Sequence, residues 1–405
     1  MHHHLSKTIM NNESVDFCQI QEDWSEKQAP GVPLVSRSGR LFSWDVFNND
    51  ADNYNNNNIC VIGKHGSGKS LFMQELMAST LGVGGRVFVF DVGRNFEKMC
   101  HHFDGQFIEF TPKTNLSINP FSKLSNAKKD GLLDPFMMLN PVLATMAAPD
   151  IERDALEYTL FKKAVFAVWA LKGKETTITD IAEYLKSQND KKAKDLGRML
   201  FPYTMEGVYG RFFEGSSNIN FDRSLVVIEL EDLKGHKDLQ TIVMQMIIIQ
   251  IMNQMYLEGR KTPFHIVINE AWDALSGSQM GIFTGMLARR LRQYNGSLVI
   301  GAQSINDFYA SEGALVAYEE SDWMCLLSQA KESIEQLKKS EHISLDHPHM
   351  ESLLKSLCTK RGQYAEIMIS EPYGYSIGRL MLDPFSQTPC AEKSNQYVDR
   401  EYLQE

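Results

Sequence analysis

The run Ile59-Cys60-Val61-Ile62, the octet Gly63-Lys64-His65-Gly66-Ser67-Gly68-Lys69-Ser70 and the continuation Leu71-Phe72-Met73-Gln74-Glu75-Leu76-Met77-Ala78 decide the fold. The octet fits G-x-x-x-x-G-K-[ST], and its flanks read as a buried strand before it and a helix after it. An ordinary Gly-rich turn between strand and helix is the competing reading, but it does not require a Lys-Ser pair at the helix start. In a P-loop, Gly66 and Gly68 let backbone N–H groups close around a phosphate at the positive end of the helix. Gly63, Lys64, His65, Gly66, Ser67, Gly68, Lys69, Ser70 and Leu71 are therefore the candidate nucleotide-binding residues. Lys69 is placed to reach the terminal phosphates, and the Ser70 hydroxyl to ligate Mg²⁺. The cofactors expected are ATP and Mg²⁺.

Working outward, 405 residues with 43% hydrophobic and 23% charged content describe an ordinary globular chain with a sizeable core. A net charge of −10 argues against a surface that coats nucleic acid or anionic membrane indiscriminately, while leaving room for a local basic lining. The cysteines are scattered without a C-x-x-C and read as reduced core thiols of a cytoplasmic protein. The most apolar stretch, Ile242 to Met252, holds Gln245 and Gln250 and is too short to span a bilayer, so it reads as a buried helix. Met1-His2-His3-His4 looks like an appended tag rather than a targeting signal.

Along the chain, Gly31 to Phe47 holds short extended pieces, and Asn48 to Asn58 is an Asn-rich, turn-prone approach to the first buried strand. Strands follow at Arg86–Asp91 and Phe107–Phe110. From about Asp130 to Leu200 the periodicity turns helical, with an amphipathic helix through Ala155–Trp169 and another that Thr179 would N-cap. The aromatic group Tyr203, Tyr209, Phe212 and Phe213 is expected to pack this block onto the sheet. Apolar strands resume at Ser224–Leu230, His265–Asn269, Ser297–Ala302, Trp323–Leu327 and Tyr364–Ile369, with helices at 240–256 and 280–293 between them. Such alternation predicts an α/β fold: a P-loop NTPase core with a mostly parallel sheet and an inserted all-helical subdomain. The expected divisions are 1–30 (tag and irregular lead-in), 31–125 (core with the P-loop), 126–218 (helical insertion), 219–390 (second part of the core) and 391–405 (tail).

A P-loop needs a carboxylate at the end of a neighbouring strand. Glu229 ends one run, but the chain carries on through Leu230-Glu231-Asp232 without a sharp turn. Ile266-Val267-Ile268-Asn269-Glu270 stops abruptly, which favours Glu270 as the general base or water-orienting residue. Asn269 then occupies the position where an aspartate would hold the Mg²⁺ hydration shell. It keeps the shape without the charge, so Asn269→Asp is expected to raise turnover at limiting Mg²⁺. Gln303, ending the next strand, can sense a terminal phosphate; a capping role is the plainer alternative. Arg289, Arg290 and Arg292 read either as a solvated helix face or as arginines that complete a neighbouring subunit's site, with Arg211, Arg361 and Arg379 behind them. His101-His102 and His347-Pro348-His349 lack the spacing of a zinc site and read as surface histidines.

Together, the P-loop, Asp91-Val92-Gly93-Arg94-Asn95-Phe96, Leu116-Ser117-Ile118-Asn119-Pro120-Phe121, Asn269-Glu270-Ala271-Trp272, Gly301-Ala302-Gln303-Ser304-Ile305-Asn306-Asp307-Phe308 and Gly378-Arg379-Leu380-Met381-Leu382-Asp383-Pro384-Phe385 resemble the C-terminal motor domain of the TraC-type ATPases of conjugative type IV secretion systems. These belong to the wider HerA/FtsK-like P-loop group. The resemblance implies a RecA-like core, a homo-hexamer, and ATP use in pilus assembly and DNA transfer. It also implies further secretion-system partners, including inner-membrane channel subunits, and a missing N-terminal domain. The expected location is the cytoplasmic side of the inner membrane, held there through partners. Two other readings stay open: a DNA-pumping coupling protein of the same superfamily, and a nucleotide-gated structural subunit with little turnover.

Overall fold

A computed structural model describes residues 31–47, 56–111, 114, 116–124, 135–149, 151, 153–259, 262–270, 275, 278–340, 348–371 and 374–381. Its strands are β1 (Val32–Ser36), β2 (Leu41–Trp44), β3 (Ile59–Ile62), β4 (Arg86–Asp91), β5 (Gln106–Glu109), β6 (Leu225–Glu229), β7 (Phe264–Asn269), β8 (Gly296–Ala302), β9 (Trp323–Leu326), β10 (Thr359–Lys360), β11 (Tyr364–Glu371) and β12 (Gly374–Leu380). They form one sheet in the order β2-β1-β12-β11-β9-β3-β8-β7-β4-β6-β5, with β10 paired to β11. From β5 across to β9 every pairing is parallel. From β9 to β2 every pairing is antiparallel. The parallel block is the mostly parallel sheet expected from the apolar runs. Of the antiparallel wing, β11 matches the strand expected at Tyr364–Ile369, and β1 and β2 match the short extended pieces expected between Gly31 and Phe47; β12 answers to no expected strand, and its partner β1 lies at the far end of the chain.

Side chains of the parallel strands alternate between two cores, as the period of two requires. Cys60, Ile62, Phe88, Phe90, Ile266 and Ile268 face one layer. Ile59, Val61, Val87, Val89 and Val267 face the other. Helix α1 (Lys69–Gly82) covers the second layer through Phe72, Met73, Leu76 and Met77. Helix α2 (Glu97–His102) joins it there with Met99 and Cys100. The first layer is covered by helices introduced further along the chain, chiefly α7 (Lys237–Glu258), whose buried stretch runs through Ile242 to Met252. Gln250 is accommodated in that apolar helix because its Nε2 donates to the carbonyl of Ile118. Among the described residues no helix is long and apolar enough to cross a membrane.

Between β5 and β6 the chain forms α3 (Pro135–Ala147), α4 (Ala155–Lys172), α5 (Ile178–Ser187) and α6 (Lys191–Met199), the expected helical block. Its entry and exit are tied together by Asn119, which is fully buried. The Asn119 amide donates to the carbonyls of Thr176 and Gly215, while its oxygen accepts from the Phe121 N–H. The aromatic expectation holds in part at this junction, since Phe212 packs against Phe110 at the end of β5 and Tyr203 against Phe213. The N-cap of α5 is Thr177, not Thr179. A capping box needs an acid three residues on: Thr177 has Asp180 there, whereas Thr179 has Ala182. Thr179 instead donates its hydroxyl to Glu214.

The remaining helices are α8 (Ser278–Gln293), α9 (Glu312–Glu319), α10 (Lys331–Ser340) and α11 (Pro348–Ser356).

Candidate functional site

Strand register aligns the carboxyl ends of the parallel block. Ile62 pairs with Ala302, Gly301 with Asn269, Asn269 with Asp91, and Asp91 with Glu229. In open α/β sheets this edge is where ligands bind. β8 lies between β3 and β7, so the residues that follow these three strands (Gly63, Gln303 and Glu270) are brought side by side.

The glycine loop leaves β3 and enters α1 through Gly68 at φ +93°, after Gly66 at φ +74°. Gly68 caps α1 with no side-chain hydrogen bond, and no acidic residue lies in the first turn. The first N–H groups of a helix have no intrahelical acceptor, so this end carries unmet donors and positive potential suited to an anion. The loop is held from below. Gly63 N–H donates to Ala302, Lys64 N–H to Ser328, and Ser67 N–H to Lys64. Thr359 Oγ1 on β10 donates to the Ser67 carbonyl at 2.7 Å. Glycine is required at 68 twice over, since a Cβ there would also lie 2.7 Å from that of Ala365 on β11. Lys64, His65 and Gly66 are exposed, Ser70 and Leu71 half-buried, and the Ser67 side chain is buried in the loop.

Lys69 is buried and places Nζ 3.0 Å from Glu270 Oε1. Gln303 Nε2 reaches the same carboxylate oxygen at 3.4 Å. Glu270 has φ +56°, a left-handed conformation that a residue with a Cβ rarely adopts. The carboxylate is thus held at a strand exit where glycine would be easier, a kind of backbone strain that concentrates at functional positions. Gln303 is fixed through its neighbours: Asp307 accepts from the N–H groups of both Gln303 and Ser304 in a capping box. A cation, a carboxylate and an amide therefore converge in front of a helix terminus. Such a set can bind a polyphosphate, neutralise its charge and polarise a water.

Asn269 is 1% exposed and donates its Nδ2 to Asp91 Oδ1 at 3.2 Å. Its own Oδ1 is buried with no hydrogen-bond partner. Glu229, the competing carboxylate, is buried two strands from β7 and accepts from the N–H groups of Gly93, Arg94 and Glu231. Burial and the neighbouring Asp91 push its pKa up. It clamps the β4–α2 loop rather than facing the glycine loop.

The arginines fall elsewhere. Arg289 lies on the exposed side of α8 and pairs with Glu320 at 3.2 Å, Arg290 is half-buried, and Arg292 is exposed. Arg211 stacks on Phe212, Arg361 is exposed at the β10–β11 turn, and Arg379 pairs with Glu366. No hydrogen bond or ion pair described for these side chains reaches the glycine loop of the same chain. His101 and His102 are exposed on α2. Ala271, Trp272 and His347 lie outside the described residues. Thr359 and Asp91 are not among the site residues expected from the sequence. The signal for Asp91, an acid ending a buried strand, was present, but its role depends on a cross-strand register that sequence spacing does not reveal.

Protein TraC of Escherichia coli (strain K12) is 28% identical over 395 residues, covering 93% of this chain, which spans 43% of TraC's length. VirB4 of Thermoanaerobacter pseudethanolicus superimposes with a TM-score of 0.68 at 20% identity, covering 89% of this chain and 99% of that one. The bacterial conjugative coupling protein TrwBΔN70 gives 0.52 at 13% identity over 80% of this chain and 85% of its own. TrwB has also been solved in complex with ADP and Mg²⁺. These structural likenesses establish the α/β P-loop fold. The AAA-like domain profile matches residues 48–319, about two thirds of the sequence, and the chain belongs to the AAA-like domain family.

Proposed function

We propose that this chain is the motor portion of a conjugative type IV secretion ATPase, which binds ATP with Mg²⁺ and couples its hydrolysis to pilus assembly and to DNA or protein transfer. One observation carries the reading: the Lys69–Glu270 ion pair stands at an uncapped helix N-terminus beside Gln303. The TraC likeness supplies the biological setting.

In this reading the polyphosphate seats on the N–H groups at the start of α1, and Lys69 turns from Glu270 to the terminal phosphate. Glu270, released from its cation, accepts a hydrogen bond from the attacking water and takes its proton. The water oxygen bonds to the terminal phosphorus as the bond to the bridging oxygen breaks, and ADP leaves with that electron pair. Gln303 holds the same water or the terminal phosphate oxygen. Mg²⁺ would neutralise phosphate charge when bound. The residues available to it are the Ser70 hydroxyl and Asn269, whose buried, unpartnered Oδ1 is an acceptor that a metal-bound water could satisfy. The assembly proposed is a homo-hexamer on the cytoplasmic face of the inner membrane, attached through channel subunits, with an arginine from α8 of a neighbour completing each site.

Phosphate release from Mg·ATP tests the proposal. Saturable turnover by the parent chain, lowered at least ~100-fold in Lys69→Ala, is expected. Equal rates in the two proteins would overturn it.

A further inference from the structure

Asn269 and Asp91 sit opposite each other on adjacent parallel strands, β7 and β4, at the edge that carries the candidate site. Both are buried, at 1% and 0% exposure. The two oxygens of Asp91 already accept four N–H bonds. Oδ2 takes the backbone N–H groups of Asn95 and Phe96, and Oδ1 takes the side-chain amides of Asn95 and Asn269. Burial pushes the pKa of the Asp91 carboxyl up, and the four N–H donors oppose that shift; since every group described against the two oxygens is a donor, the surroundings match the acceptor-only, ionised form. An ionised carboxylate only accepts, so it forces Asn269 to turn its NH₂ toward β4 and its oxygen away. That oxygen has no partner of its own. It packs where a Cβ on Gly301 would lie, 2.9 Å away, alongside Met73 of α1.

We infer that Asp91 is a positioning residue for the site and that Asp91 and Asn269 form one divided acid–amide unit, in which the charge stands on β4 and the acceptor oxygen on β7. Asparagine at 269 is then the consequence of aspartate at 91. The amide passes the polarity of the buried anion to an oxygen on the glycine-loop side, and it anchors the residue that precedes Glu270. The inference rests on the proposed nucleotide chemistry for its functional half only; the pairing itself rests on hydrogen-bond polarity.

This reverses the expectation from sequence for Asn269→Asp. An aspartate at 269 would face Asp91 at hydrogen-bond distance, so the pair must either hold two like charges in a site with little water or take up a proton at neutral pH, and either state costs stability. The charge can move to β7 only if the amide moves to β4. In the exchanged pair D91N/N269D the amide on β4 could then donate to the carboxylate on β7 while its oxygen still accepts from the loop N–H groups, and the Asn95 amide, which now loses its acceptor on residue 91, keeps the Val92 carbonyl it already reaches.

The test compares Asn269→Asp, Asp91→Asn and that exchanged pair in the full chain at one fixed neutral pH. Thermal melts without nucleotide read the pairing. Asn269→Asp should lower Tm by roughly 5 °C or more, and the exchanged pair should regain at least half of that loss. ATP turnover reads the positioning: kcat should fall ~10-fold or more in Asn269→Asp with less change in KM, and return toward the parent in the exchanged pair. Should Asn269→Asp fail to fold, a folded exchanged pair supports the same conclusion. An exchanged pair no more stable than Asn269→Asp, or an Asn269→Asp chain as stable as the parent, overturns the inference. The melts judge the pairing even if the parent shows no turnover, a result that would sink the proposed function instead.

Discussion

Glu270 and His265 lie at opposite ends of one strand and its exit, and they show how burial sets the task of a titratable side chain. Glu270, half-exposed at the carboxyl end, meets a cation and an amide. His265, near the other end, is fully buried against Phe47, and neither ring nitrogen has a hydrogen-bond partner. Burial lowers its pKa from 6.5 to about 3. The folded chain keeps the ring neutral while the unfolded chain protonates it, so stability is complete at neutral pH and declines as pH falls from about 6.5 toward 3. At pH 5 the loss from this group amounts to about 2 kcal/mol. In denaturant melts at pH 7 and pH 5, His265→Leu should lose about 2 kcal/mol less stability over that interval than the parent; an equal loss would contradict a neutral buried ring. Sequence displayed His265 only as a polar residue in an apolar run, and which side of the sheet it faces required the strand pairing. Glu270 was legible because the run stops abruptly after it. Its left-handed backbone was not.

At the scale of elements, the glycine loop and its flanking strand and helix were legible because they are local: an apolar run, fixed glycine spacing and a helical continuation. The buried strands of the parallel block were legible for the same reason. Elements specified by distant partners were not. β1 packs on β12 closely enough that a Cβ on Gly378 would lie 2.8 Å from the Leu34 Cβ, a constraint invisible in either segment alone. The Leu116–Phe121 motif could be quoted from sequence without a reason for it. Asn119 supplies the reason, since it staples the entry of the helical block to Thr176 and Gly215. Asn119→Ala removes those donors and the acceptor for Phe121, and should cost roughly 2–4 kcal/mol. Amide exchange should speed up across residues 176–215 while β3, β7 and β8 keep their protection. Uniform loss of protection would show instead that the block and the sheet unfold as one unit.

At the scale of the whole molecule, the proposed homo-hexamer asks Arg289 or Arg290 to act on a neighbour's site, and no contact described for Arg289 reaches the glycine loop of its own chain. Arg289 is exposed on α8 and paired only with Glu320 among the contacts described for it. A surface ion pair of this kind is worth little, so in the proposed assembly it could be exchanged for a phosphate contact. Specific ATPase activity should therefore rise with protein concentration and then level off, and Arg289→Ala or Arg290→Ala should flatten the rise. A profile independent of concentration in the parent would count against completion of the site between subunits.

In the proposed function, Glu270 acts on a phosphate held by the loop that begins at Gly63. Glu270→Gln keeps shape and hydrogen bonding and removes the base, so binding of a fluorescent ATP analogue should change less than ~3-fold while single-turnover hydrolysis falls at least ~100-fold. Hydrolysis at the parent rate by a Glu270→Gln chain that still binds the nucleotide would contradict the account.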